Sequence, residues 1–163
     1  MMTPGNKSPR VFLLCGFICS GKTTAAIELA HSEGAIRMTL DEWVNRLYGP
    51  EATSLSDFDP QERVKEVMWQ TAQEALRQGV SVVLDWGFWT RKERDAYRAL
   101  CDAHGFTYTV IFMRCDKDTC RERVRQRNIA LDERSVFVNL DNFERWWLMF
   151  EPPVDEVYDE RGL

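Results

Sequence analysis

Gly16-Phe17-Ile18-Cys19-Ser20-Gly21-Lys22-Thr23 satisfies G-x-x-x-x-G-K-[ST] at every position. The spacing suits phosphate. Glycines let backbone N–H groups turn inward around anionic oxygens, where a Cβ would stand in the way. A helix starting near Lys22 adds the positive end of its dipole. Lys22 then reaches the β- and γ-phosphates, and the Thr23 hydroxyl ligates Mg²⁺. Gly16, Ser20, Gly21, Lys22, Thr23 and Thr24 are the expected nucleotide contacts, with ATP and Mg²⁺ as the ligands.

Three further constellations bear on what such a site does. Asp41, in "IRMTLDEW", follows Lys22 by about twenty residues. At the end of a second strand it would stand where open α/β sheets place ligands, and could take the proton of an attacking hydroxyl. The same stretch, Thr39-Leu40-Asp41-Glu42, also reads as a T-x-x-E capping box. Asp85 closes the apolar run Val80–Leu84 and is expected beside the loop, holding Mg²⁺ through water or facing the acceptor. Arg114–Arg127, "RCDKDTCRERVRQR", offers only Cys120 and Val124 as an apolar stripe. Residues 114–138 therefore suit a lid over ATP, with Arg123 and Arg127 one turn apart, although a charged run also suits a solvated helix face.

The segment "DWGFWTRKE" interleaves Trp86, Phe88 and Trp89 with Arg91, Lys92 and, just beyond, Arg94. Such a pattern stacks and charge-pairs with a base or sugar-phosphate, which makes Asp41, Asp85, Arg91 and Arg94 the candidate acceptor contacts. An equally simple reading puts the aromatics in the core. Trp146 and Trp147 read as packing anchors. A single acid after the apolar run argues against a motor ATPase, and no N-K-x-D motif suits a G-protein: "NKSP" at Asn6 lacks the acid.

These residues need a scaffold. Val11–Cys15, Val80–Leu84 and Tyr108–Met113 have strand length and no wet face, as strands covered on both sides require, and Ala35–Thr39, "AIRMT", is a weaker fourth strand pattern. Helical patterns alternate with them at Lys22–Ser32, Asp41–Tyr48, Gln61–Gln78, Thr90–His104, Asp116–Arg127 and Asn139–Phe150. Asp59 is the expected cap of the third helix and Pro60 its first-turn residue. The sum is a three-layer α/β P-loop NTPase fold with a mostly parallel central sheet and an arginine-rich lid. Residues 1–10 read as a flexible tail, 11–150 as the domain, and 151–163, with "EPPVDEVYDE", as an acidic surface tail.

The 163 residues, 44% hydrophobic and 29% charged, suit one soluble domain. A net charge of -5 argues against a general nucleic-acid binder. Five cysteines without a CxxC pair favour reduced thiols and a cytoplasmic setting. The run Val11–Cys19, behind Lys7 and Arg10, imitates a signal core but lacks a small-x-small cleavage pattern. No apolar run approaches the ~18 residues of a membrane span.

With its "LDEW", "VVLDWGFWTRKERD", "RVRQRN" and "FEPP" elements, the chain resembles the small P-loop kinases of the AAA-type ATP-binding, zeta-toxin and polynucleotide-kinase-like group. The likeness runs from Val11 to Pro153 and looks closest to a bacterial branch. It implies a phosphotransferase in which Asp41 is the general base and Lys22 and Thr23 hold the phosphates. It also implies that Arg123 and Arg127, or Arg125 in another register, neutralise the γ-phosphate. The acceptor would be a hydroxyl of a small or nucleotide-like molecule. A polynucleotide 5′-hydroxyl kinase and a non-transferring ATP-binding module are the alternatives.

Overall fold

In the computed structural model, Arg10–Cys15 (β1) is the middle of a five-stranded sheet. Its neighbours are β2 (Ile36–Thr39), β3 (Val82–Gly87), β4 (Thr107–Arg114) and β5 (Asp159–Gly162). The order is β2-β3-β1-β4-β5 and every pair is parallel. The structure describes residues 8–49, 60–130 and 137–162. Among them the helices are α1 (Lys22–Glu33), α2 (Leu40–Tyr48), α3 (Pro60–Arg77), α4 (Arg91–His104), α5 (Lys117–Ile129) and α6 (Leu140–Met149).

Side chains alternate across a strand, so the continuous apolar runs split into two cores. Val11, Leu13, Cys15, Val82, Leu84, Trp86, Val110 and Phe112 face the layer containing α2, α3 and α4. Phe12, Leu14, Val83, Ile111 and Met113 face Ala25, Ala26 and Leu29 of α1. Each of these fully buried aliphatic side chains contributes about 1.5–3 kcal/mol. The result is the expected α/β P-loop NTPase architecture. A third cluster carries the site: Phe17 of the glycine loop packs against Cys120 and Val124 of α5 and Phe143 of α6. Trp147 meets the Phe17 ring edge-on at 4.8 Å, which makes it a packing anchor.

Local signals place most helix ends. Thr90 Oγ1 accepts the Glu93 N–H at 3.1 Å, the bond a T-x-x-E start requires. Pro60 opens α3 as expected, while its expected cap, Asp59, lies outside the described residues. Thr39-x-x-Glu42 behaves differently. Thr39 precedes α2 without capping it, because its hydroxyl turns to Asp85 and Glu42 pairs with Arg37.

Two boundaries shift with consequences. β3 runs from Val82 to Gly87, so Asp85 lies inside the strand, 5% exposed, instead of following its end. Arg10, assigned to the tail from sequence, begins β1 and donates from its backbone N–H to Ser81 Oγ.

The larger correction concerns the C-terminal segment. Residues 151–163 read as a surface tail, yet Asp159–Gly162 extends the sheet beside Ile111–Arg114. Pro153 is buried, and Tyr158 meets the Phe112 ring edge-on at 5.7 Å. Two of the acids that argued for solvent are paired with arginines. Glu160 pairs with Arg114, and Glu156 pairs with Arg94 and Arg98.

Candidate active site

The glycine loop leaves β1 at Cys15 and enters α1 at Lys22. Cys19 (φ 59) and Gly21 (φ 96) are both left-handed, the alternation that turns successive N–H groups to one side as an anion-binding nest. Gly16 allows no side chain. A Cβ there would stand 2.7 Å from Ser20 Oγ and 3.1 Å from the Met113 carbonyl oxygen. Its N–H is held by the Gly87 carbonyl at 2.9 Å. Gly16→Ala is expected to displace the loop and weaken ADP binding about tenfold or more, by the usual 1–3 kcal/mol cost of overpacking. Fluorescence titration with a labelled ADP checks this, and unchanged affinity contradicts it.

Ser20 is 3% exposed, and its Oγ has no hydrogen-bond partner among the described residues. Buried hydroxyls are rarely left so, and this one lies within the phosphate loop itself, close against Gly16. Lys22 Nζ donates to the Phe17 carbonyl at 2.6 Å across the loop. Burial pushes its ammonium below the ordinary lysine value, opposed by the charges of Asp85 and Asp41. Thr24 is exposed in the first turn of α1.

Behind the cradle stands Asp85. Its Oδ2 accepts from Thr23 Oγ1 and from Thr39 Oγ1, each at 3.1 Å. Burial raises its pKa, and the Lys22 charge and the two hydroxyls draw it down. A hydroxyl at the start of α1 and a carboxylate on the neighbouring strand are the hard oxygen donors that Mg²⁺ prefers. The residues fit both groups that the loop implies, a nucleotide phosphate and its metal.

Asp41 is exposed in the first turn of α2, next to the sheet end that carries Thr39 and Asp85. Its charge is felt at both Lys22 and Asp85. From the other side, Arg123 Nη1 donates to the Cys19 carbonyl at 3.2 Å and to Cys115 Sγ at 3.7 Å. The half-buried Arg127 also reaches this region. Burial raises the Cys19 thiol, and the charges of Arg127, Lys22 and Arg123 oppose the rise. Arg125 is exposed and sits 3.7 Å from Glu122. Residues 131–136 of the expected lid lie outside the described residues.

The candidate acceptor arginines do not join this group. Arg94 is 0% exposed and bonds Glu156, the Phe88 carbonyl at 2.9 Å and the Trp89 carbonyl at 3.2 Å. It is a structural residue of the β3–α4 turn, where Gly87 (φ 89) and Phe88 (φ 44) are both left-handed. Arg91 is exposed beside Asp95 and lines a cavity with Arg98 and residues 155–159 that includes no cradle residue. Trp86 and Phe88 are core residues, stacked at 5.6 Å. The aromatic and basic interleaving therefore reflects a helix start crossing from core to surface. From sequence Thr39 reads only as a helix cap, and Glu156 only as part of an acidic tail. A β2–β3 register, Thr39 opposite Asp85, would have revealed the first.

Residues 11–153 match the AAA domain family model. The chain belongs to the AAA domain family. Among solved structures, Chaetomium thermophilum Kti12 in complex with ADP-AlF3 is similar to this AAA domain protein. The identity is 16%, the TM-score 0.71, and the match covers 93% of this chain and 88% of that one. A gluconokinase from Sinorhizobium meliloti is similar at 17% identity and TM-score 0.67, covering 94% and 82% respectively. At these identities the likeness establishes a small P-loop kinase-like fold. No curated protein matches the AAA domain chain. Among its described residues no helix is long and apolar enough to cross a membrane.

Proposed function

We propose that the protein is a kinase that moves the γ-phosphoryl group of ATP to a hydroxyl of a small-molecule or nucleotide-like acceptor. The carrying observation is the gathering of Lys22, Thr23, Asp85 and Asp41 at one sheet end, faced by Arg123 across the loop. Thr23 and Asp85 would hold Mg²⁺, which screens the phosphate charge when bound. Lys22 and the α1 N-terminus fix the triphosphate, and Arg123 and Arg127 balance charge on the γ-phosphoryl group. Asp41 accepts the acceptor's hydroxyl proton as the new O–P bond forms, and ADP leaves with the electrons of the broken O–P bond.

An exposed carboxylate suits this task, since it stands open to an incoming hydroxyl. Burial of Trp86, Phe88 and Arg94 removes much of the surface that suggested a nucleic-acid end as acceptor. The test is transfer of labelled phosphate from ATP across a panel of sugars, sugar acids, nucleosides, antibiotics and oligonucleotides, with Lys22→Ala as blank. Labelled product above that blank is the expected result. Tight ATP binding with no product from any class leaves the ATP-binding module as the better account.

A further inference from the structure

We infer that Thr39 is a positioning residue for the magnesium carboxylate, its hydroxyl aimed at Asp85 by Arg37, which is itself anchored to Glu42 of α2. The inference rests on the nucleotide and Mg²⁺ reading of the glycine loop, and extends it to a residue outside the phosphate-binding motif. Asp85 is inside β3, almost fully buried, and a buried carboxylate holds a single orientation only if its oxygens are held. Two hydroxyls hold the same oxygen, Oδ2. One comes from Thr23 and one from Thr39, each at 3.1 Å.

The two are not equivalent. Thr23 is the residue that would present its oxygen to the metal, so its geometry changes as the site loads. Thr39 is buried at the end of β2, 6% exposed, and its position follows from the strand register opposite Asp85. The direction of its hydrogen bond is also determined. Arg37 Nη1 donates to Thr39 Oγ1, and a guanidinium cannot accept. The single hydroxyl hydrogen of Thr39 is left for Asp85.

Arg37 is itself anchored by a two-pronged pair with Glu42, at 2.9 and 3.0 Å. Glu42 adjoins Asp41 in the first turn of α2. The chain Glu42–Arg37–Thr39–Asp85–Thr23 therefore ties the helix bearing the acceptor-side acid to the start of α1. It also explains why Thr39 forgoes capping α2.

The experiment measures binding of a fluorescent ADP over a Mg²⁺ titration, in wild type, Thr39→Val and Thr39→Ser. Valine keeps the shape and removes the donor, while serine keeps the donor and removes the methyl group. Loss of an outer hydrogen bond to a metal ligand typically costs about 10–100-fold in metal affinity. Thr39→Val should accordingly need about tenfold more Mg²⁺ to tighten ADP, with metal-free ADP binding unchanged. Thr39→Ser should restore the wild-type dependence.

A Thr39→Val protein with wild-type Mg²⁺ dependence overturns the assignment. So does a Thr39→Ser protein as impaired as the valine variant, since packing would then be the cause. A wild type whose ADP binding ignores Mg²⁺ overturns the metal reading itself, and the role of Thr39 with it. Thermal unfolding of each variant separates a misfolded protein from a mispositioned carboxylate.

Discussion

Asp41→Asn should lower phosphoryl transfer by about 10²–10⁴-fold, the usual contribution of a positioned general base, while ADP affinity stays within about twofold. Asparagine keeps the shape of the side chain and removes its ability to take a proton. Asp41 is exposed in the first turn of α2, and the cradle is built from residues 16–23 without it. The two effects should therefore separate cleanly: kcat falls and nucleotide binding does not. Single-turnover transfer to whichever acceptor the panel yields, paired with ADP titration, measures both. Transfer at the wild-type rate removes Asp41 as the base. A parallel loss of ADP affinity shows instead that its charge, which acts on Lys22, supports the nucleotide site.

Glu156→Ala should destabilise the fold by about 3–5 kcal/mol, the typical cost of stranding a buried charge. Arg94 and Glu156 are 0% and 3% exposed, and Arg94 Nη2 lies 2.6 Å from Glu156 Oε1. Arg98 adds a second contact to the same carboxylate at 2.7 Å. Without Glu156, Arg94 is left buried beside the Phe88 and Trp89 carbonyls, with no carboxylate at hydrogen-bonding distance among the described residues. At roughly 2–4 °C per kcal/mol for a chain of this size, Tm should fall by roughly 6–20 °C.

The loss should depend on pH. Hydrogen bonds from Arg94 and then Arg98 hold the Glu156 carboxyl below its ordinary 4.5, against the effect of burial. A depressed carboxylate stabilises the fold above the unfolded value and loses that contribution as pH falls through the folded one. The difference between wild type and variant should be full near pH 7. It should start to shrink as pH falls below about 4.5 and be lost only below the lower folded value, where the wild-type carboxyl is protonated and both proteins carry an uncompensated Arg94. Denaturant melts from pH 7 down through the folded value check this. An equal difference at every pH would mean that packing, not charge, is lost.

The consequence for the site is indirect. Arg94 holds the Phe88 and Trp89 carbonyls of the turn that follows β3, and Gly87, the last residue of β3, accepts the Gly16 N–H. The C-terminal segment thus braces the floor of the phosphate loop through two intermediates. Glu151 adds a second brace, its N–H donating to the Trp89 carbonyl and its carboxylate accepting the Arg91 N–H.

By itself the sequence determined what local geometry and burial dictate. An eight-residue spacing names a phosphate loop because few backbones but that one need Gly16 and Gly21 with Lys22 and Thr23 between strand and helix. Apolar runs without a polar face name buried parallel strands, and capping residues such as Thr90 place helix starts. Only the tertiary structure decided which charged residues stand beside the phosphate loop and which are buried in ion pairs. The tail reading failed because its acids find Arg94, Arg98 and Arg114, which lie 46–62 residues away in the chain for the pairs to Arg94 and Arg114. Asp85 ended a strand on paper because a carboxylate breaks an apolar run. In the fold it continues the strand, since Thr23 and Thr39 supply the hydrogen bonds its burial requires. Those partners come from strand register and helix docking, which are long-range facts that no window of sequence contains.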